Sequence, residues 1–200
     1  MIRYAAFLAA TFAVAACGGS SDEVPSMTLQ VGPAPAIMRP VDPTVVTPLT
    51  PEAEAKIETL RDILDRNSLR RLSNQANDEP AFVSNFANQS HRVHWDLLRR
   101  TGFDPLLQLT RLLDGPYATR RVGDQVWYIW PDLAALDAEA LEPERLSFSD
   151  RARLRELVGD PGIARIRDGQ AYPGVRTAIA EDGRWLYFIH QTEDEGEREE

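Results

Sequence analysis

Two of the three histidines in this sequence are spaced as metal ligands could be. His91 and His94 lie three residues apart, so they share one face if the segment is helical. Neutral imidazole binds zinc or copper, and Asp96 or Glu79 could complete the coordination. Zinc hydrolases with the His-Glu-x-x-His motif space their histidines four apart, which differs from this segment. The sequence therefore offers His91, His94 and Asp96 as a candidate metal site, the alternative being a structural helix.

Nucleophilic catalysis has little support in the residue types available. The only cysteine, Cys17, lies in the N-terminal region, and no Gly-x-Ser-x-Gly elbow occurs. A glycine-rich phosphate loop is also missing. We therefore expect no cofactor, and a hydrolase would have to use the His91 and His94 region.

Aromatic residues concentrate in two later segments that read as hairpins. Strands favour aromatics for packing alone, so a core position is the first interpretation. The alternative is a ligand pocket between sheet and helices, with an arginine at its mouth to recognise a carboxylate or phosphate. The candidate ligand-binding residues are Trp127, Trp130, Trp185, Tyr187, Arg121 and Arg176, with Arg120 beside them.

Helices are predicted for the first half of the domain. Thr50-Pro51 has the capping hydroxyl and early proline of a helix start, and apolar residues follow at helical spacing. Ser90 can cap a helix from His91 to Arg100, and Asp104-Pro105 opens another. These helices would carry the histidines.

Strand periodicity dominates the second half. Residues 119–122 and 125–130 flank Gly123-Asp124, a two-residue loop suited to a tight hairpin. Residues 175–180 and 185–190 predict a second hairpin, and a capping box at Ser147 precedes a helix between the two. The expected fold class is α+β, with N-terminal helices followed by two antiparallel β-hairpins with helices between them, in a single small domain.

The N-terminus has the features of an export signal. Arg3 precedes an apolar run over residues 5–16, shorter than the roughly 20 residues that span a bilayer. The ending Val14-Ala15-Ala16-Cys17 resembles the lipobox of bacterial lipoproteins. That resemblance implies a signal peptide over residues 1–16 and lipidation of Cys17 by acyl chains such as palmitate. Because Gly18 and not aspartate follows, it also implies the periplasmic face of the outer membrane.

Composition divides the remaining chain into a tether, a domain and a tail. Residues 17–50 are rich in proline, residues 51–191 form the expected globular domain, and residues 192–200 form an acidic tail expected to be disordered. The formal net charge is -9, and no basic stripe occurs, so nucleic acid is not an expected partner.

Longer segments resemble known proteins. Three of them are similar to a group of proteobacterial lipoproteins: Ser84-Asn85-Phe86, residues 94–100 and residues 127–133. Helices leading into a sheet that ends Asp-Gly-Arg-Trp also resemble the nuclear-transport-factor-2-like cone, a fold often built around a pocket. We therefore expect a membrane-anchored periplasmic protein that binds a small molecule or an envelope protein without catalysis. The alternative is a metal-dependent hydrolase.

Overall fold

The computed structural model describes residues 47–87 and 89–190. The predicted signal peptide, Cys17, most of the predicted tether and the acidic tail lie outside the described residues. Within the described part, no helix is both long enough and apolar enough to cross a membrane.

Four helices precede the first strand, in the half of the domain for which the sequence predicts helices. Thr50, Ser90 and Asp104 cap three of them as expected, each accepting a hydrogen bond from a backbone N–H in the first helical turn. The helices are α1 (Pro51–Asp65), α2 (Leu69–Asp78), α3 (His91–Arg100) and α4 (Pro105–Asp114).

The two predicted hairpins are confirmed and join into one antiparallel sheet of order β1-β2-β3-β4. The junction is the β2–β3 pair, in which Ile129 lies opposite Ala178. A 3-10 helix (Asp132–Ala135) and α5 (Phe148–Arg167) lie between the hairpins in sequence, so the predicted α+β class is confirmed. The strands are β1 (Ala118–Val122), β2 (Gln125–Trp130), β3 (Arg176–Ala180) and β4 (Trp185–Ile189).

Helices α1 to α4 pack on one face of the sheet and form the main core. Alternation along β2 directs Tyr128 and Trp130 toward these helices, and Phe188 on β4 joins them. Leu60, Leu72 and Leu109 from the helices are fully buried in the same cluster, and Trp95 of α3 is 1 % exposed. The helices therefore bury the middle of this face of the sheet.

Helix α5 belongs to a separate cluster and does not cover the second face of the sheet, which is therefore only partly covered. Leu154 and Ile166 of α5 form a separate cluster with Leu133, Leu141 and Tyr172. The second face carries a small cluster of its own, which the 3-10 helix covers through Ala135. The remainder of that face is the candidate site described below.

The last residues of the predicted tether contact the domain. Tyr117 donates a hydrogen bond from its hydroxyl to the Thr47 carbonyl at 3.3 Å, and the Tyr128 hydroxyl donates to the Pro48 carbonyl at 2.9 Å. Leu49 packs against the main core. Residues 47–50 thus belong to the folded surface.

Candidate functional site

The two faces of the sheet separate the predicted ligand-binding residues into two groups. Trp130 and Trp185 lie on the helix-covered face and are 2 % and 0 % exposed. The ring centroids of Trp185 and Phe82 are 4.3 Å apart, and the Trp185 indole N–H donates to Thr177 Oγ1 at 2.8 Å. The prediction that Trp130 and Trp185 line a ligand pocket is therefore wrong. Strand alternation directs both side chains into the core.

Trp127, Tyr187, Arg121 and Arg176 do line one cavity, as the pocket interpretation requires. It has a volume of about 840 Å³ and lies over the second face of the sheet. We call it the open-face cavity. Its other walls are Arg120, Ile129, Leu136, Phe86 and Tyr172, together with small residues and the Gly123 turn.

Small side chains occupy the middle of the sheet on this face. Ala118, Ala178 and Ala180 are 2 %, 0 % and 0 % exposed, and by the strand register they share the face of Trp127 and Tyr187. A methyl group fills little of the space above a strand, whereas the flanking aromatic rings rise above it. The Trp127 and Tyr187 ring centroids are 6.3 Å apart. Trp127 and Tyr187 therefore pack over buried alanines on this face, and both rings line the cavity.

The charge lining the open-face cavity is positive. Arg120 and Arg121 of β1 and Arg176 of β3 line it, and no aspartate or glutamate occurs among its described lining residues. Arg176 also donates to the Gly174 carbonyl at 3.0 Å. Burial raises the pKa of Tyr187 to about 12, while Arg176 and Arg120 act in the opposite direction.

A buried donor also lies at this cavity. The indole Nε1 of Trp127 has no hydrogen-bond partner among the described residues, although it is buried. An unpaired buried N–H is uncommon in folded proteins, because it loses its hydrogen bond to water and gains none in return. The Trp127 ring thus borders the cavity, while its N–H lies beneath the accessible surface.

His91 contacts a serine, as a nucleophilic pair would. Ser84 Oγ lies 2.7 Å from His91 Nδ1 and accepts a hydrogen bond from Asn85 Nδ2 at 3.0 Å. However, Ser84 is only 2 % exposed. A substrate carbonyl cannot reach a hydroxyl so enclosed, so the contact serves to fix the segment before α3 against that helix.

The His94 side chain is buried, whereas a metal site open to solvent would need an exposed ligand. His94 is 6 % exposed, and its Nε2 has no partner within the described residues. Its ring centroid lies 5.6 Å from that of His190, which brings all three histidines of the chain into one region. Burial, followed by the nearby His190 and His91, lowers the pKa of His94 to about 4.

The carboxylates suggested as metal ligands bind other partners. Asp96 accepts a hydrogen bond from Arg92 Nε at 2.8 Å on the exposed side of α3. Glu79 is paired with Lys56, and it accepts hydrogen bonds from Gln75 and from the Trp185 backbone N–H. Across residues 47–87 and 89–190 no three His, Cys, Asp or Glu side chains are placed to hold a metal ion. The structure does not bring Asp96 to His91 and His94.

Phe86 and Tyr172 were not among the ligand-binding residues predicted from the sequence. Both line the cavity from loops whose positions no local pattern specifies. Arg120, which the sequence analysis named beside the candidates, lies opposite Trp127, because the two-residue loop fixes the register of the first hairpin. Known proteins give no further guide, since no protein-family model, curated protein or solved structure matches the chain.

Proposed function

We propose that this chain is a membrane-anchored, non-catalytic envelope protein that binds a small molecule in the open-face cavity. The observation that carries the proposal is the cavity itself, which lies over the second face of the sheet, opposite the face that packs against helices α1 to α4. Its volume of about 840 Å³ falls in the range of about 300–1,000 Å³ typical of small-molecule sites. Aromatic walls with a few polar groups are also typical of such sites.

The lining favours binding over catalysis. General acid–base chemistry needs a group that titrates near neutral pH, and nucleophilic chemistry needs a serine, cysteine or comparable group beside a base. The described lining residues include no histidine, carboxylate, serine or cysteine. Burial raises the pKa of Tyr187 to about 12, so this hydroxyl stays protonated at neutral pH and acts as a donor.

We expect the neutral dye N-phenyl-1-naphthylamine to bind the open-face cavity and to lose about tenfold in affinity on Trp127→Ala, because the largest apolar wall is removed. The full chain is expressed with Cys17→Ser so that no acyl chain competes for the dye. Binding is measured by the rise in dye fluorescence.

The matched control is Leu107→Ala, which truncates an apolar side chain that is 48 % exposed on α4 and does not line the cavity. It should leave dye affinity unchanged. Dye binding that Trp127→Ala does not weaken would place the dye elsewhere and remove the support for a binding cavity.

The membrane anchor is supported by the N-terminal motif. The segment Val14-Ala15-Ala16-Cys17 supplies small residues before the only thiol in the chain. One acyl chain binds membranes only marginally, so stable anchoring needs the two or more chains that lipoprotein processing would attach.

Cys17→Ala should move the protein from the membrane fraction to the soluble or unprocessed fraction, because the lipid-accepting thiol is lost. Fractionation followed by mass spectrometry of the N-terminal peptide measures both outcomes. Ser20→Ala, three residues away, is the control and should stay with the membrane. A Cys17→Ala protein that is processed and membrane-bound would contradict the lipoprotein proposal.

A further inference from the structure

We propose that the acidic tail of this same chain, residues 192–200, binds across the open-face cavity with its carboxylates against Arg120 and Arg121. The bound tail competes with the small molecule for the cavity, so this proposal rests on the proposed function and adds a way to regulate it. Three observations carry it: the place where the chain leaves the sheet, the distance that the tail must cross, and the charges that meet there.

The chain leaves the sheet at the rim of the open-face cavity. Strand β4 ends at Ile189, and this residue is one of those that line the cavity. By the strand register, Ile189 shares the face of the sheet that carries Tyr187 and Trp127. Only His190 separates this lining residue from residue 191. The tail therefore starts beside the cavity.

The tail is long enough to reach the two arginines. By the strand register, Ile189 is level with Arg176, and Arg120 is level with Ala180. The path from Ile189 to Arg120 therefore crosses three strand spacings and runs four residues along the strands, which together amount to about 20 Å. Ten extended residues span up to about 33 Å. Residues 191–200 can thus reach Arg120.

Arg120 and Arg121 carry positive charge that no described carboxylate neutralises. Both are exposed residues of the edge strand β1 and both line the cavity. Neither makes an ion pair or a side-chain hydrogen bond with any described residue. No aspartate or glutamate occurs among the described lining residues. Guanidinium groups form strong, charge-assisted hydrogen bonds with carboxylates, so an acidic segment is the partner that suits these two residues.

The tail carries the complementary charge at high density. Residues 193–200 contain six acidic residues and one basic residue, Arg198, so their formal net charge is 1 - 6 = -5. The composition predicts disorder because it offers almost no apolar surface to bury, but ion pairs do not need such surface. A short connection to β4 gives the tail an effective concentration of about 1 mM at the cavity. A contact too weak to form between separate molecules is therefore populated within one chain.

A nitroxide spin label on the tail shows where it lies. In the full chain with Cys17→Ser, Glu197→Cys provides a single labelling site, because Cys17 is the only native cysteine. At low ionic strength the label should reduce the NMR amide signals of Arg120, Gly123 and Trp127. Added salt should restore these signals, because ions screen exposed charges.

The matched control carries the same label in a tail of the same length without its acidic groups. It should leave the signals of Arg120, Gly123 and Trp127 at full intensity. The control substitutions are Glu193→Gln, Asp194→Asn, Glu195→Gln, Glu199→Gln and Glu200→Gln.

The dye N-phenyl-1-naphthylamine measures whether the tail competes for the cavity. A tail with a Kd of about 0.5 mM at an effective concentration of about 1 mM lowers the affinity of a competitor about threefold. Deleting residues 192–200 should therefore raise dye affinity about threefold. The gain should vanish when Arg120→Gln and Arg121→Gln are both present, because the contact is already lost. Arg99→Gln, at an exposed arginine of α3 outside the cavity, is the matched control and should leave the gain intact.

The spin-label outcomes decide the proposal without the dye. Signal loss around Arg99 on α3 in place of Arg120, or no signal loss at all, would overturn the proposal and leave the binding cavity unaffected. Signal loss at Arg120 that persists in high salt and with the neutral tail would also overturn it, because the tail would then bind without its charges.

The dye outcomes separate the proposal from the function on which it rests. Signal loss at Arg120 with no gain in dye affinity on deletion of the tail would overturn the competition. Dye that binds only after the tail is deleted would support it. Dye that binds neither protein would contradict the proposed function, while the spin label would still report whether the tail lies over the cavity.

Discussion

Trp185→Ala is expected to remove about 3–5 kcal/mol of the free energy of unfolding, a large part of the roughly 5–15 kcal/mol that holds a domain folded. Trp185 is fully buried, its ring contacts that of Phe82, and Thr177 satisfies its indole N–H. The variant should melt far below the unsubstituted protein or fail to accumulate. Urea unfolding followed by circular dichroism measures the change.

Trp127→Ala is the matched control for this prediction, because it removes the same side chain from the opposite face of the sheet. Trp127 is only partly buried and borders the open-face cavity, so its loss should cost much less stability. A Trp185→Ala protein that melts within about 2 °C of the original would show that the side chain is not part of the core.

Acid is expected to destabilise the fold through His94. Burial, His190 and His91 lower the pKa of this side chain from 6.5 to about 4 in the folded protein, so the unfolded chain binds the proton more tightly. Stability is therefore full above pH 6.5 and is lost as the pH falls toward 4. The complete shift corresponds to about 3 kcal/mol, of which about 2 kcal/mol falls between pH 7 and 5.

His94→Leu tests the assignment, since it removes the titrating ring and leaves no polar atom buried in its place. Unfolding free energies of both proteins are compared at pH 7 and pH 5, above the range in which most carboxylates titrate. The variant should show a smaller loss on acidification. Equal pH dependence in the two proteins would assign the acid sensitivity to other groups.

Local signals in the sequence were enough to predict the four strands and the capped helices, but not the 3-10 helix at Asp132–Ala135. Thr50, Ser90, Asp104 and Ser147 could be recognised as caps because a side-chain oxygen that accepts from the next turn is a local property. The Gly123-Asp124 loop likewise defined the first hairpin, since a two-residue connection permits few geometries. These predictions needed no knowledge of the tertiary structure.

The division of the aromatic residues between core and cavity could not be predicted in the same way. Alternation shows that Trp127 and Trp130 lie on opposite faces of β2, but it does not say which face the helices cover. That choice depends on where α5 packs, and α5 forms its cluster with Leu133 and Leu141 instead of covering the sheet. The cavity is thus a result of long-range packing.

The arrangement of the three histidines could not be predicted from local signals either. His91 and His94 could be placed on one helical face from their spacing, but His190 joins them from the end of β4, almost 100 residues later. The ion pair of Glu79 with Lys56 likewise removes a candidate ligand through a contact between α1 and the end of α2. Such contacts depend on the assembled fold.

The contacts of residues 47–50 determine how a mechanical force would enter the domain. A pull applied through the chain before Thr47 acts first on its contacts with Thr119 and Tyr117, then on the bond from Tyr128 to the Pro48 carbonyl. Thr50 follows, and its hydroxyl donates to the Glu181 carbonyl at 2.6 Å while accepting from the first turn of α1. The force is therefore distributed over both hairpins before α1 begins to unfold from its N-terminus.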